Sequence, residues 1–561
     1  GHSIYFAATR KPSHERQEEH RRNSNKKNMD AFSSSLLLSS SQSAEVTTET
    51  LSWSLLFFSS IVMIFLSLPL FIYLVFPSLQ VSGFRELFRH YILRTPDPDR
   101  SWADDEQFIQ SYGKLYKTIH SVENQQRLQQ SCEAAEVTHF LFLVHGVNGY
   151  ALDLSYPEMM LKLWRDNKKM QLMEEEEAAA ETKNNKKKRQ RRQQHLVIHA
   201  ATWNERKTKD GIIKGGKRLC EEMKQVIQQE MKKNKNKNIT ISMFGNSLGG
   251  LYCRYAIAEF NASPVMKDYD ARWNVFLTTA TPHLGCAKHT YFPIPRTAEI
   301  GLAHTMGETG KDLFQVNDLL KRMATEPHYL NTLKAFRKRI AYANAYGTDF
   351  PVPTATAAFL HERSTYPHHE VSSSLSSISS ISDNDDDLVE ILDEKGLVVA
   401  NLHTHPSMSD EDDDENETAD ENGDDSNNGE HDDNLLVMSN SLDSLGWKKV
   451  FVDLRHEIPI GVKLPSSPFA KKSNNNTRPE QLQLDSNSSS LESKEIASAT
   501  KHNTGNRLIY PLGHNMIVAV SRCDKSASFN SGGRPVIDAL AKEVVELIFS
   551  PYDDSDDNDA E

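Results

Sequence analysis

The segment around Ser247 constrains the fold of this chain more than any other part of the sequence. The motif Gly-Asn-Ser-Leu-Gly at residues 245–249 directly follows an apolar, β-branched run at 239–244 and precedes a helical stretch at 251–260. A strand, a Gly-x-Ser-x-Gly turn and a helix in this order are typical of a sharp turn that exposes a nucleophilic serine. The glycines permit the tight backbone, and the helix directs its N-terminal N–H groups at the serine. We therefore predict that Ser247 is a nucleophile.

A serine nucleophile needs a base and an acid, and the sequence offers candidates for both. Where a serine stands on such a turn, the acid and then the histidine follow it in the chain. Asp349 comes immediately after a strand-like segment, and His514 precedes an apolar run near the C-terminus. Asp453, inside a strand-like segment, is the alternative acid, and His456 is the alternative base.

An oxyanion formed at Ser247 would need two backbone donors. One is expected from the residue after the nucleophile, Leu248, and the other from the loop after the first core strand. That strand is the apolar run at 140–144, which is followed by His-Gly-Val at 145–147. We predict that the N–H groups of Val147 and Leu248 form the oxyanion hole, and that His145 has a structural role.

Strand-like and helix-like segments alternate from residue 138 onwards. Strands are predicted at 138–144, 196–200, 239–244, 274–279, 339–346 and 449–454, with helical segments at 216–229, 251–260 and about 312–337. This alternation predicts an α/β fold with a mostly parallel sheet and helices on both faces. We assign this domain to residues 138–550, with low-complexity insertions at about 174–194, 367–439 and 466–505. The first is a charged, solvated segment expected in a loop or helix end, and the other two are predicted to be disordered.

The segments that precede the domain have different compositions. Residues 1–50 are charged and then Ser-rich, and are predicted to be disordered. Residues 51–77 include an uncharged apolar run of about 24 residues, which suits a transmembrane anchor. Residues 78–137 are predicted to be a linker with helices, and residues 551–561 form an acidic tail.

The flanking charges predict the orientation of the anchor. Arg85, Arg89 and Arg94 lie just after the apolar run, whereas the twenty or so residues before it carry neither Lys nor Arg. The positive-inside rule therefore places the domain in the cytosol, as a single-pass membrane protein. A lumenal placement stays open, because the sequence contains five N-glycosylation motifs, at Asn238, Asn261, Asn416, Asn475 and Asn487.

Charge and cysteine content exclude other classes. The net charge of −13 is clustered in acidic tracts, and no basic stripe with interleaved aromatic residues occurs, which argues against a nucleic-acid ligand. The five cysteines lack Cys-x-x-Cys spacing, so the sequence predicts neither a disulfide framework nor a zinc site.

Several further motifs resemble those of the eukaryotic serine esterases, a lipase-like branch of the α/β-hydrolase superfamily. The similar blocks are Leu-Val-His-Gly-Val-Asn-Gly at 143–149, Ser-Leu-Gly-Gly-Leu-Tyr-Cys-Arg-Tyr-Ala at 247–256, and Thr-Pro-His-Leu-Gly at 281–285. Further similar segments lie at 204–219, 309–314 and 342–353. The resemblance covers about 138–359, with a shorter match around His514. One departure is Asn246, where the family commonly has histidine.

The resemblance implies ester hydrolysis, with lipids as the expected substrates, by a triad of Ser247, Asp349 and His514. It implies an α/β-hydrolase fold and no metal or organic cofactor. The expected partners are an acyl-ester substrate and a membrane, and no nucleic acid. The alternatives are a protein acyl-thioesterase with the same triad and a non-catalytic, membrane-bound adaptor.

Overall fold

The computed structural model describes eleven stretches of the chain between residues 105 and 551. They are 105–133, 136–181, 194–233, 237–290, 294–370, 397–407, 426–458, 461–463, 490–500, 507–509 and 512–551. The predicted disordered N-terminal region at 1–50 and the predicted anchor at 51–77 lie outside these residues. No helix within the described stretches is both long and apolar enough to cross a membrane.

A nine-stranded mixed sheet is the centre of the described structure, in the order β10-β6-β7-β8-β5-β4-β3-β1-β2. Its strands are β1 (Val137–Val144), β2 (Gln194–Ala200), β3 (Ile239–Asn246), β4 (Ala271–Thr279), β5 (Lys338–Asn344), β6 (Pro367–Glu370), β7 (Val398–His403), β8 (Lys448–Val452) and β10 (Leu491–Glu492). Six neighbouring strands, β8, β5, β4, β3, β1 and β2, pair in parallel. Strands β7, β6 and β10 extend the sheet beyond β8 in antiparallel pairings. Two further strands, β9 (Gly461–Lys463) and β11 (Arg507–Ile509), pair with each other.

Helices cover both faces of this sheet. In chain order they are α1 (Glu106–Ile119), α2 (Val122–Glu133), α3 (Ser155–Glu181), α4 (Ile212–Met231), α5 (Leu248–Asn261), α6 (Pro264–Asp268), α7 (Arg296–Thr305), α8 (Gly307–Leu313), α9 (Leu319–Thr325), α10 (Pro327–Lys334), α11 (Thr354–Ala357), α12 (Ser426–Asp443), α13 (Ser493–Ala499), α14 (Gly513–Met516), α15 (Asp524–Phe529) and α16 (Arg534–Phe549).

The central strands are buried on both sides, which explains their continuous apolar sequences. In β1, Phe140 and Phe142 pack into a core that includes α4 and α5, whereas Leu141 and Leu143 pack into a second core with α1, α3 and α16. The prediction of an α/β fold is confirmed, with a mixed sheet between two helical layers.

The structure differs from the sequence prediction at the second and third insertions, whereas the first begins with a helix end, as expected. Helix α3 extends into the first insertion and ends there at Glu181. The second insertion contains β6, β7 and most of α12, and the third contains β10 and α13. Short apolar runs explain the difference, because Leu397, Leu402, Leu435 and Met438 bury their side chains although their surroundings are rich in Ser, Asp and Glu. Residues 182–193, 371–396, 408–425, 466–489 and 501–505 of these ranges lie outside the described stretches.

Candidate active site

The turn between β3 and α5 holds Ser247 in a strained backbone conformation. Its φ is 54° and its ψ is −128°, a combination that costs on the order of 1–3 kcal/mol for a residue with a side chain. Gly245 and Gly249 make the turn possible. A Cβ at Gly245 would lie 2.4 Å from the Cα of Gly250, and one at Gly249 would lie 2.1 Å from the carbonyl oxygen of Val144. The glycines therefore allow the end of β3, the start of α5 and the end of β1 to approach one another closely.

The structure brings Ser247, His514 and Asp349 together. His514 Nε2 lies 3.0 Å from Ser247 Oγ, and His514 Nδ1 lies 2.9 Å and 3.1 Å from the two carboxylate oxygens of Asp349. With the proton on Nδ1, the imidazole donates to the carboxylate and accepts from the serine hydroxyl. This is the hydrogen-bonded arrangement by which a base activates a serine.

Asp349 is buried and has fixed partners. Asn344 Nδ2 donates to Oδ2 at 2.8 Å, and the backbone N–H of Val352 donates to Oδ1 at 2.9 Å. Its exposed fraction is 1%. Each oxygen therefore has a donor besides His514, which fixes the plane of the carboxylate and the direction in which it orients the imidazole.

Backbone contacts join the loop that carries the acid to the loop that carries the base. Asp349 and Leu512 form an isolated antiparallel bridge, and the N–H of Gly513 donates to the carbonyl oxygen of Thr348 at 2.7 Å. His514 then lies in the short helix α14. The imidazole is thus positioned against Asp349 although 165 residues separate them in the chain.

The loop after β1 lies directly over the nucleophile. A Cβ at Gly146 would be only 2.8 Å from the Cβ of Ser247, so no side chain fits at that position. Leu248 is the first residue of α5, where N–H groups lack partners within the helix. Among the described residues, neither Val147 nor Leu248 uses its N–H in a hydrogen bond. Neither N–H group is therefore committed to another acceptor within the described stretches.

The alternative acid and base have other environments. Asp453 forms a two-pronged ion pair with Arg455, with a closest distance of 2.7 Å, and His456 is exposed. His145 is buried, its Nδ1 lies 3.0 Å from the carbonyl oxygen of Gly146, and burial lowers its pKa. None of these side chains makes a described contact with Ser247 or His514.

Sequence reasoning missed Asn344 and Arg522 as parts of the site. Asn344 belongs to a motif that the resemblance used, but only its hydrogen bond to Asp349 indicates what it does. Arg522 contacts the loop after β1, which precedes it by more than 360 residues, and no local pattern predicts that contact. Within the described stretches, no group of three or more His, Cys, Asp or Glu side chains is arranged to hold a metal ion.

Comparison with known families agrees with this geometry. Residues 134–359 match the family described as Putative serine esterase (DUF676). The resemblance predicted from the sequence motifs is therefore confirmed. The matched range includes Ser247, Asp349, Val147 and Leu248, and it ends before His514. The match supports serine hydrolase activity in general. A comparison with curated proteins finds no match.

Proposed function

We propose that the protein is a serine acyl hydrolase that cleaves carboxylic esters. The observation that carries this proposal is the continuous hydrogen-bonded relay from Ser247 Oγ through His514 to Asp349, at 3.0 Å and 2.9 Å. It stands beside two backbone N–H groups that are free to stabilise an oxyanion. A serine esterase family match over a range that includes Ser247 and Asp349 supports it.

The proposed reaction follows from these positions. Ser247 Oγ attacks the ester carbonyl while His514 Nε2 takes the hydroxyl proton, and Asp349 holds the imidazole and stabilises its positive charge. The carbonyl oxygen becomes an oxyanion that accepts from the N–H groups of Val147 and Leu248. His514 then gives the proton to the leaving alcohol. Water, activated by the same imidazole, attacks the acyl-enzyme and releases the carboxylic acid and free Ser247.

We also propose that the domain has the α/β-hydrolase fold. The parallel strands β2, β1, β3, β4, β5 and β8 lie side by side, with the serine after β3 and the acid after β5. The chain order of serine, acid and histidine is the order found in that fold, and it differs from the orders found in chymotrypsin and in subtilisin.

A lipid substrate and a membrane anchor are further parts of the proposal, and they rest on sequence. The apolar run within 51–77 has the length of a bilayer span, and the arginines that follow it favour a cytosolic domain. An anchor would keep the site near a bilayer and raise the effective concentration of lipid esters.

Labelling of the full chain with a fluorophosphonate probe tests the catalytic proposal. The wild-type protein is expected to react at one serine, and Ser247→Ala is expected to abolish both labelling and hydrolysis of a soluble aryl ester. Ser263→Ala is the matched control, because this buried serine lies beyond the far end of α5. A folded wild-type protein that does not label at Ser247 would exclude the hydrolase and favour the non-catalytic adaptor.

A substrate panel then separates ester from thioester cleavage. Glycerolipids in vesicles, soluble aryl esters and an S-acylated peptide would be compared at equal concentrations of active sites, titrated with the probe on a separate sample. A kcat/KM that is highest for the glycerolipids supports the proposal. A clear preference for the S-acylated peptide would replace it with the protein thioesterase.

A further inference from the structure

Arg522 joins two segments that flank the catalytic serine. Its Nε and Nη2 donate to the two carboxylate oxygens of Asp153, at 2.7 Å and 2.8 Å, and Nη2 also donates to the carbonyl oxygen of Asn148 at 2.9 Å. Asn148 directly follows Val147, and Asp153 lies in the short 3-10 helix (Ala151–Leu154) that ends the same loop. One guanidinium therefore holds both ends of the loop that carries a proposed oxyanion donor.

The segment that carries both His514 and Arg522 is held in place by its surroundings. Arg522 comes eight residues after His514, and the four residues between 517 and 520 are almost completely buried. Asn530 Nδ2 donates to the carbonyl oxygen of Val520 at 2.8 Å, which ties this segment to the start of the C-terminal helical region. The guanidinium thus projects from a segment that has little freedom to move.

The loop at 146–153 needs hydrogen bonds to hold its conformation, because its backbone includes a left-handed residue. Asn148 has a φ of 51°, in the left-handed region. Its N–H donates to Thr208 Oγ1 at 2.9 Å, and Asp153 Oδ2 accepts from the N–H of Tyr150 at 2.9 Å. The side chains of Asp153 and Arg522 are only 7% and 11% exposed, so solvent screens the pair weakly.

We propose that Arg522 and Asp153 are positioning residues for the oxyanion hole. Together they set the place of the Val147 N–H relative to Ser247 and to the segment that carries His514. This inference rests on the proposed hydrolase function. It assigns no contact with substrate to either residue, since each acts through the loop at 146–153.

Steady-state kinetics of the full chain with a soluble aryl ester test this role. Fluorophosphonate titration gives the concentration of competent Ser247, so that kcat refers to folded sites only. Arg522→Ala is expected to lower kcat by about 10- to 100-fold, with KM changed by less than about threefold, because a displaced oxyanion donor acts mainly on the transition state. Arg522→Lys keeps the charge without the planar two-pronged contact, so its kcat should lie between those of the alanine variant and the wild type.

A double variant distinguishes positioning from general destabilisation. Arg522→Ala combined with Asp153→Ala should lose no more kcat than the larger single loss, because both changes remove the same contact. Arg165→Ala is the matched control, since Arg165 forms a partly buried two-pronged pair with Asp166 and donates to the carbonyl oxygen of Leu196, near the start of β2 and so towards the opposite edge of the sheet from Ser247. It should lower the melting temperature and leave kcat per titrated site unchanged.

The possible outcomes are distinct. The inference is overturned if Arg522→Ala keeps kcat within threefold of the wild type per titrated site, or if Arg165→Ala loses as much. It is also overturned if the two alanine changes multiply their effects on kcat. Absence of labelling and hydrolysis in the folded wild-type protein would instead refute the proposed function itself.

Discussion

Replacement of Gly249 by alanine tests whether the close packing at the elbow sets the geometry of the site. The added Cβ would lie 2.1 Å from the carbonyl oxygen of Val144 and 2.8 Å from that of His145. Ordinary van der Waals contact begins near 3.4 Å, so β1 and the elbow would have to separate by about 1.3 Å. The atoms that clash belong to the backbone, and no flexible side chain can move aside.

The size of this displacement predicts the size of the effect. The end of β1 leads directly into the loop that carries Val147, so the separation would move an oxyanion donor away from Ser247. A misplacement of about 1 Å costs on the order of 100-fold in rate, and overpacking of a core costs about 1–3 kcal/mol in the free energy of unfolding. We therefore expect Gly249→Ala to lower kcat by about 100-fold while the protein still folds.

Kinetics with a soluble ester and thermal unfolding by circular dichroism would measure both effects. Gly113→Ala is the control, because its Cβ would meet only the side chain of Ile109, at 3.3 Å, on the exposed part of α1. It should leave kcat unchanged and keep or slightly raise the melting temperature. The reasoning fails if Gly249→Ala folds and keeps kcat within threefold of the wild type.

Three other predictions concern buried polar groups. Asn344→Ala removes one of the two further donors to Asp349, so kcat should fall about tenfold with KM unchanged in the same ester assay. Lys449→Met leaves Asp443 buried without its partner at 2.6 Å and should cost about 3–5 kcal/mol in urea unfolding. Adding Asp443→Asn should recover at least half of this loss. A double variant as unstable as Lys449→Met would show that the unpaired charge of Asp443 is not the cause. Burial lowers the pKa of His139 from 6.5 to about 4, so the unfolded state binds more protons between these values. Protonation of His139 should contribute about 3 kcal/mol to the loss of stability across that range, and urea unfolding at pH 6.5 and at pH 4 should show a correspondingly smaller loss for His139→Gln.

Much of the site could be predicted from sequence because its signals are local. The strand, the glycines and the helix around Ser247 are adjacent in the chain, and the elbow needs all three. Asp349 follows a strand of recognisable composition, and His514 precedes an apolar run. Each residue could therefore be selected from its neighbours, whereas the distances between them required the structure.

The parts that could not be predicted depend on pairing over long distances. Strands β6 and β7 lie in Ser-rich and acidic surroundings, and only their antiparallel pairing beside β8 shows that they belong to the sheet. The buried ion pair of Lys449 and Asp443 was equally hidden, because a lysine in a strand is expected to face solvent. The average composition of a segment hides its short apolar runs, and it does not show which strand or side chain each residue will contact.

The bridge between Asp349 and Leu512 has a consequence for how the sequence can change. Since hydrogen bonds beside the site join the two loops, the imidazole-to-carboxylate distance does not depend on the length of chain between them. Loop-closure entropy grows only slowly with length, so a longer or shorter connection alters stability little. The geometry of the site therefore does not require a connection of fixed length, and we expect the segments of it that contact neither loop to lengthen or shorten in evolution while the site is kept.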